Sequence, residues 1–352
     1  MAGNTTGKQI LTGVRLGITP TGWRNADFPD LTADSKGKQY YPADKCLKEI
    51  IEAKFTGCSD DREFPKDAAA WKSFLTAAGL PNGREFHVTE PWISTWFTTA
   101  GGYERTLDFY EKSKKQWSDR GVQNIGAAEF GNAVHLKPHV PLEQRNRFSD
   151  QQWNTLVEGL NELGRRAAAD GFRLCYHPHM GTGVQTQPET DRLMAGTDAA
   201  HVHLLLDTGH LTWAGGDPVA AVYRHGDRIK HIHLKDLRPD KLRSLDLART
   251  SFKDGVKAGI FNVPVADHGK WTVPFDKVLK ALDDVDYARE DRWRKTGEAP
   301  HPTVKWRKWL VVEAEQPYEG DFHGPGKPLD YAKEAHTTVS ALLGSTGGGG
   351  SR

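Results

Sequence analysis

Residues 203–236 read HLLLDTGHLTWAGGDPVAAVYRHGDRIKHIHLKD. The apolar run over 203–206 predicts a short buried strand, 218–225 a helix, and 229–234 a second strand. Strand, helix, strand is the unit from which parallel sheets are built. Both strands run into side chains that bind metals or move protons. Asp207 and His210 follow the first; His231, His233, Lys235 and Asp236 end the second.

The same alternation extends outward in both directions. Strands are predicted over 14–18, 55–58, 85–88, 124–129, 172–176 and 309–312. Helices are predicted over 43–54, 67–78, 103–120, 149–170, 188–195, 275–283 and 329–343, with Ser149 or Asp150 as a cap for the fourth. Eight strand–helix units predict a parallel sheet covered by helices, and their count predicts closure into a (β/α)8 barrel. An open doubly wound sheet is the alternative. Two stretches break the rhythm and read as loop insertions, 237–272 and 285–308. The first leaves the C-terminal end of a strand, where barrel enzymes place their sites. One catalytic domain over 1–344 is expected. Residues 345–352, STGGGGSR, read as a flexible tail or a scar of cloning.

Composition narrows the function classes. The 352 residues are 37% hydrophobic, enough for a large core at this length. Lys and Arg number 47 against 46 Asp and Glu, a net charge of +1, and no half is strongly basic. Neither nucleic acid nor an anionic membrane is an expected partner. No apolar run approaches the roughly 20 residues that span a bilayer, and the polar N-terminus carries no apolar signal segment. Cys46, Cys58 and Cys175 are odd in number and form no C-x-x-C pair. A reducing, cytoplasmic setting is therefore expected. Dinucleotide-loop, Walker A and G-x-S-x-G signatures are absent.

The chemistry lies at the strand ends. The fifth strand runs into Tyr176-His177-Pro178-His179, the sixth into Asp207-Thr208-Gly209-His210, the seventh into His233-Leu234-Lys235-Asp236 and the eighth into Glu313-Ala314-Glu315-Gln316. Strand side chains alternate between faces, so residues two apart point inward together. A barrel gathers the C-terminal ends at one mouth, where His177 or His179, Asp207, His233 and Glu313 can converge. Taken singly, a strand-end His is more often a hydrogen-bonded core residue, Asp207 can cap the next helix, and Glu313 and Glu315 can be solvated. The same feature on four strands favours a metal site. Mixed imidazole and carboxylate donors suit Mn²⁺ or Co²⁺ first, with Mg²⁺, Fe²⁺ and Zn²⁺ as alternatives. The lack of a cysteine ligand and the positions left open for substrate oxygens indicate a catalytic ion. Glu129 reads equally as a substrate-facing or a structural carboxylate. Lys235 can bind a substrate oxygen, or act as acid or base if burial and a cation lower its pKa. Trp23, Trp92, Trp96 and Trp213 can stack on a sugar face or pack the core.

At these residues the chain resembles the inosose (2-keto-myo-inositol) dehydratases of the xylose-isomerase-like superfamily. GITPTGWRNADFPDL, YHPHMGTGVQTQPETDRLM, LLLDTGHLTWAGGDP, DRIKHIHLKDLR and WLVVEAEQP carry the resemblance, over about residues 12–343. It implies a TIM barrel with one divalent ion held by His177 (or His179), Asp207, His233 and Glu313. Related epimerases usually carry Glu at the fifth-strand position, where this chain has His-Pro-His. The resemblance also implies substrate contacts from His210 and Arg238. Glu315 and Trp23 complete the expected substrate-binding set. The family's compact VPGDG-like segment is replaced by Val263-Pro264-Val265-Ala266-Asp267-His268-Gly269-Lys270-Trp271, which implies an altered substrate.

The expected reaction is dehydration of a cyclic keto-polyol such as scyllo-inosose through an enediolate. The expected base is Glu313, Glu129 or His179, and His210 or Lys235 protonates the departing hydroxyl. The alternatives are a keto-sugar isomerase or epimerase, an enzyme eliminating 3-keto-glycosides (C-glycosides included), or a non-catalytic sugar-binding barrel. A homo-oligomer or a partner subunit is compatible with the sequence.

Overall fold

The computed structural model describes residues 10–25, 27–287, 306–316 and 327–344. Nine parallel strands form one sheet: β1 (Val14–Ile18), β2 (Gly57–Cys58), β3 (His87–Val88), β4 (Trp92–Thr95), β5 (Asn124–Glu129), β6 (Arg173–Tyr176), β7 (Val202–Asp207), β8 (Ile229–Leu234) and the C-terminal strand Lys308–Val312. Their order is β3-β2-β1, the C-terminal strand, then β8-β7-β6-β5-β4. The two ends of this order, β3 and β4, are consecutive in the chain and only Thr89, Glu90 and Pro91 lie between them. They are the two halves of one broken third strand, so the sheet closes into a (β/α)8 TIM barrel. The break falls beside Pro91, which has no N–H to offer a ladder. Its carbonyl still accepts from Gly126 N at 2.9 Å.

The register fixes what points inward. Asp207 pairs with His233, and His233 with Val311, so these positions share one face. On that inner face the barrel is crowded. A Cβ on Gly57 would stand 2.7 Å from the Trp309 ring and 2.8 Å from the His87 carbonyl, so no larger residue fits beside that indole.

Helices cover the outside: α1 (Ala43–Glu52), α2 (Ala68–Ala77), α3 (Gly102–Asp119), α4 (Asp150–Ala169), α5 (Gln187–Gly196), α6 (Thr208–Trp213) and α7 (Pro218–His225). Their starts obey capping chemistry. Ser149 and Gln152 form a reciprocal capping box on α4, and Asp217 accepts from Val219 N and Ala220 N before Pro218 opens α7. The sequence reading missed β4 and α6. The first is a four-residue strand behind a proline, and the second a six-residue helix opening on Thr-Gly.

The stretch 237–272 departs from the expected loop. It holds β9 (Asp236–Leu237), α8 (Pro239–Ser244), α9 (Phe252–Lys257) and β10 (Phe261–Asn262), with β9 and β10 paired antiparallel. Phe252 and Phe261 are fully buried, so this segment is a packed roof. Its far end is pinned where Asp236 accepts from Thr272 N and Val273 N. Helix α10 (Phe275–Asp284) and α11 (Lys327–Gly344) complete the outer layer. Most of the second expected insertion, 288–305, and the tail 345–352 lie outside the described residues.

Candidate metal centre and active site

Four strand tips meet at the C-terminal mouth. One ligand atom each from His177, Asp207, His233 and Glu313 all lie within 4.8 Å of one another. His177 Nε2 is 3.5 Å from Asp207 Oδ2, which is 3.7 Å from His233 Nδ1, which is 2.6 Å from Glu313 Oε2. Asp207 Oδ2, His233 Nδ1 and Glu313 Oε2 are buried without an aligned hydrogen bond. Close approach without alignment is what donors aimed at a common point produce.

Position brings His177 into the set, and backbone contacts fix the tautomer of each histidine. The Pro178 carbonyl can only accept, so the 2.8 Å contact from His177 Nδ1 places a proton there and leaves Nε2 as a bare lone pair facing Asp207. His179 Nδ1 likewise donates to the Met180 carbonyl at 2.8 Å, leaving its own Nε2 bare. His210 is the opposite tautomer. Its Nδ1 accepts from Met180 N at 3.2 Å, so Nε2 carries the proton and makes no hydrogen bond, with Glu315 Oε1 3.8 Å away. The His179 and His210 rings lie 3.9 Å apart beside the quartet, and one ligand atom each of His179, His210 and Glu315 forms a second cluster. Phe252 and Phe261 roof it, with ring centroids 5.0 Å from His179 and 5.2 Å from His210 respectively. Burial, then the charge of Lys235 and neighbouring imidazoles, keeps His179 and His210 neutral far below the usual histidine range.

Lys235 threads into the same space. Its Nζ lies 3.3 Å from Asp207, 3.2 Å from Glu313 and 2.8 Å from Glu315. Its stem crosses Gly209, where a Cβ would meet Lys235 Cγ at 2.5 Å, which accounts for the glycine between Asp207 and His210. Burial opposes the ammonium charge, but the three carboxylates outweigh it and raise its pKa above the ordinary lysine value. Three carboxylates against one ammonium leave two negative charges uncompensated among buried groups. Burial also opposes a charge on His233, yet Glu313, Asp207 and Glu90 raise its pKa well above the ordinary imidazole value. An N/O donor set, orphaned lone pairs and this charge deficit fit a divalent cation. A cavity of about 100 Å³, bounded by Thr19, Arg24, Glu90, Trp92, His233 and Glu313, opens beside it.

Comparison with known proteins agrees with this architecture. Residues 51–318 match the xylose isomerase-like TIM barrel family. The chain belongs to that family. It is 33% identical over 332 residues to an inosose dehydratase of Geobacillus thermodenitrificans, covering 94% of this chain and 98% of the relative. Among solved folds it resembles the probable 3-DHS dehydratase AsbF of Bacillus anthracis, with TM-score 0.58, 14% identity and coverage of 93% and 99%. It likewise resembles the IolI protein with a bound zinc atom, with TM-score 0.58, 13% identity and coverage of 94% and 98%. Within the xylose isomerase-like family the chain is therefore of the inosose dehydratase type.

Three residues expected at this family's mouth are engaged elsewhere. Glu129 is fully buried, and its carboxylate accepts from Thr95 Oγ1, Thr98 Oγ1 and the backbone N–H groups of Phe97, Thr98 and Gly131. Five donors saturate both oxygens, so it holds the β4–α3 turn and has no lone pair for a substrate proton. Glu129→Ala orphans those donors. We expect at least about 3 kcal/mol lost from stability and a melting temperature several degrees lower, measured by thermal unfolding. Trp23 is 2% exposed and donates its indole N–H to Glu49 at 2.7 Å, so its ring packs the wall. Arg238 binds the Gly259 carbonyl at 2.7 Å, the Phe261 carbonyl and Asn262, stitching β9 to β10.

Two residues escaped the sequence reading. Glu90, 4% exposed, faces His231 and His233. Asp27 sits on the loop after β1, presented by Asn25, whose Oδ1 accepts from Asp27 N at 3.0 Å and Phe28 N at 2.9 Å. Removal of water from its carboxyl, then the charge of Glu315, push its pKa up to about 6. Its signal was present in the quoted motif GITPTGWRNADFPDL, but a search confined to strand tips passes over a loop.

Among the described residues no helix is long and apolar enough to cross a membrane, and Cys46, Cys58 and Cys175 are buried free thiols.

Proposed function

We propose that this protein is a hydro-lyase that removes water from a cyclic keto-polyol of the inosose class, and that His177, Asp207, His233 and Glu313 hold one divalent ion, Mn²⁺ or Co²⁺ first. The convergence of those four donors beside two histidines of opposite tautomer carries the reading. The ion, when bound, polarises the ketone and acidifies the adjacent C–H.

The chain's own groups do the rest. His179 Nε2, a bare lone pair held neutral, takes the proton from the carbon next to the ketone. His210 Nε2–H donates a hydrogen bond to the oxygen on which negative charge grows. It serves as a neutral donor, because giving up that proton would leave an imidazolate. Lys235, held by three carboxylates, contributes fixed positive charge. The sequence expectation that His210 or Lys235 protonates the leaving group is thereby replaced. Asp27, whose carboxyl keeps its proton up to about pH 6, is suited to hand it to the departing hydroxyl. The C–H and C–O bonds break, a C=C bond forms beside the ketone, and water leaves. The roof of Phe252 and Phe261 excludes other water from the imidazoles. The free thiols fit a cytoplasmic setting.

The test is to load the purified protein with Mn²⁺, add scyllo-inosose and follow enone or diketone absorbance. Growth of that absorbance that chelation abolishes supports the reading. Epimerised inosose with no enone, or no ion uptake at all, overturns it.

A further inference from the structure

Beneath the proposed metal donors lies a second polar layer that the mechanism does not use. Glu90, on the three-residue break between β3 and β4, is buried with one oxygen 2.9 Å from His231 Nε2 and the other 3.3 Å from His233 Nε2. Ser59 Oγ donates to the same carboxylate. Asn124 Nδ2 lies 3.0 Å from His231 Nδ1. The amide group can only donate there, so His231 Nδ1 accepts and His231 Nε2 carries a proton. That proton faces Glu90 Oε2 at 2.9 Å, close but not aligned as a hydrogen bond.

We infer that Glu90 is the positioning residue that makes His233 a metal ligand, by holding the proton on Nε2 so that Nδ1 turns a bare lone pair to Asp207 and Glu313. A carboxylate is a pure acceptor: one Glu90 oxygen takes the Ser59 Oγ and His233 Nε2 hydrogen bonds, and the other faces His231 Nε2. In the chain of contacts Asn124, His231, Glu90, His233, each link fixes the tautomer of the next. Ligating histidines usually hand their second N–H to such an acceptor. Here one carboxylate serves the ligand and a histidine below it, so the register of β8, which places His231 and His233 on one face, is read out as proton position. This inference rests on the metal reading above. It adds that the ion's affinity is set by a residue that never touches it.

Glu90→Gln is the discriminating change. Its amide presents one acceptor and one donor group to two imidazole N–H groups, so one histidine must reverse its tautomer or lose its partner. With Mn²⁺ as the probe, we expect the dissociation constant from calorimetric titration to rise about 10- to 100-fold. Glu90→Asp keeps the acceptor chemistry and should recover part of the affinity. Thermal unfolding of each metal-free variant reports whether the barrel is intact. A folded Glu90→Gln protein that binds Mn²⁺ with wild-type affinity overturns the assignment and leaves the metal site standing. Wild-type protein that takes up no Mn²⁺ overturns the metal reading, and this one with it.

Discussion

Exchange of Asp207 for Asn is expected to leave the barrel folded, to abolish uptake of the divalent ion proposed above and to lower kcat/KM by about 10³-fold or more, since each decade is ~1.4 kcal/mol and such an ion supplies several. The two carboxylate oxygens have separate duties. Oδ1 accepts from His210 N at 2.8 Å and caps α6, while Oδ2 is orphaned among His177, His233 and Lys235. Asparagine retains an oxygen for the cap. Its amide N–H then faces the His177 lone pair and the Lys235 ammonium, and one negative charge is gone. Metal per chain by atomic emission and turnover of scyllo-inosose are the two readings. Asp207→Ala should lose the cap as well, at a further cost of about 1 kcal/mol in stability. An Asp207→Asn enzyme that retains both ion and rate removes Asp207 from the centre.

The reach of sequence reasoning is clearest where alternation applies. His231, His233 and Lys235, or Glu313 and Glu315, are two apart on a strand or just past its end, and period-two geometry carried through the strand end places each series on one face. The barrel then joins tips that are remote in the chain. Residues outside that rule were hidden. Glu90 touches His233 across 143 positions, from a break caused by Pro91 that no alternation reveals. The choice of His177 over His179 rests on which lone pair faces Asp207, a matter of ring placement against the Pro178 and Met180 carbonyls. Glu129 misled for a related reason. It ends a strand as Asp207 does, but the backbone of the following turns folds over its carboxylate. Arg238 and Trp23 are drawn off by the roof and by α1. Charged or aromatic residues near a strand end thus divide by what the next loop does with them, and loop geometry is where sequence patterns carry least.

Replacement of His179 by Gln is expected to lower kcat by about 10²- to 10⁴-fold, the usual contribution of a positioned general base, with the ion retained. The glutamine has hydrogen-bonding groups of similar reach but cannot hold a transferred proton at neutral pH. His177 keeps its own Nδ1 contact to the Pro178 carbonyl, so the quartet is undisturbed. Loss of ion from this variant would instead make His179 a ligand. Full activity would return the base role to Glu313. The pH profile supplies an independent reading. A base must be unprotonated to act, and burial followed by neighbouring positive charge favours the neutral imidazole. The active form therefore exists above a lowered pKa and is lost only as pH falls through it. With Mn²⁺ saturating, kcat of the wild type should not fall as pH drops past about 6.5, where an unperturbed histidine would already be half charged, and should rise toward pH 6 as Asp27 takes up the proton it donates. A profile falling by half at that pH would show that the abstracting group is solvated, which a ring roofed by Phe252 beside His210 is not.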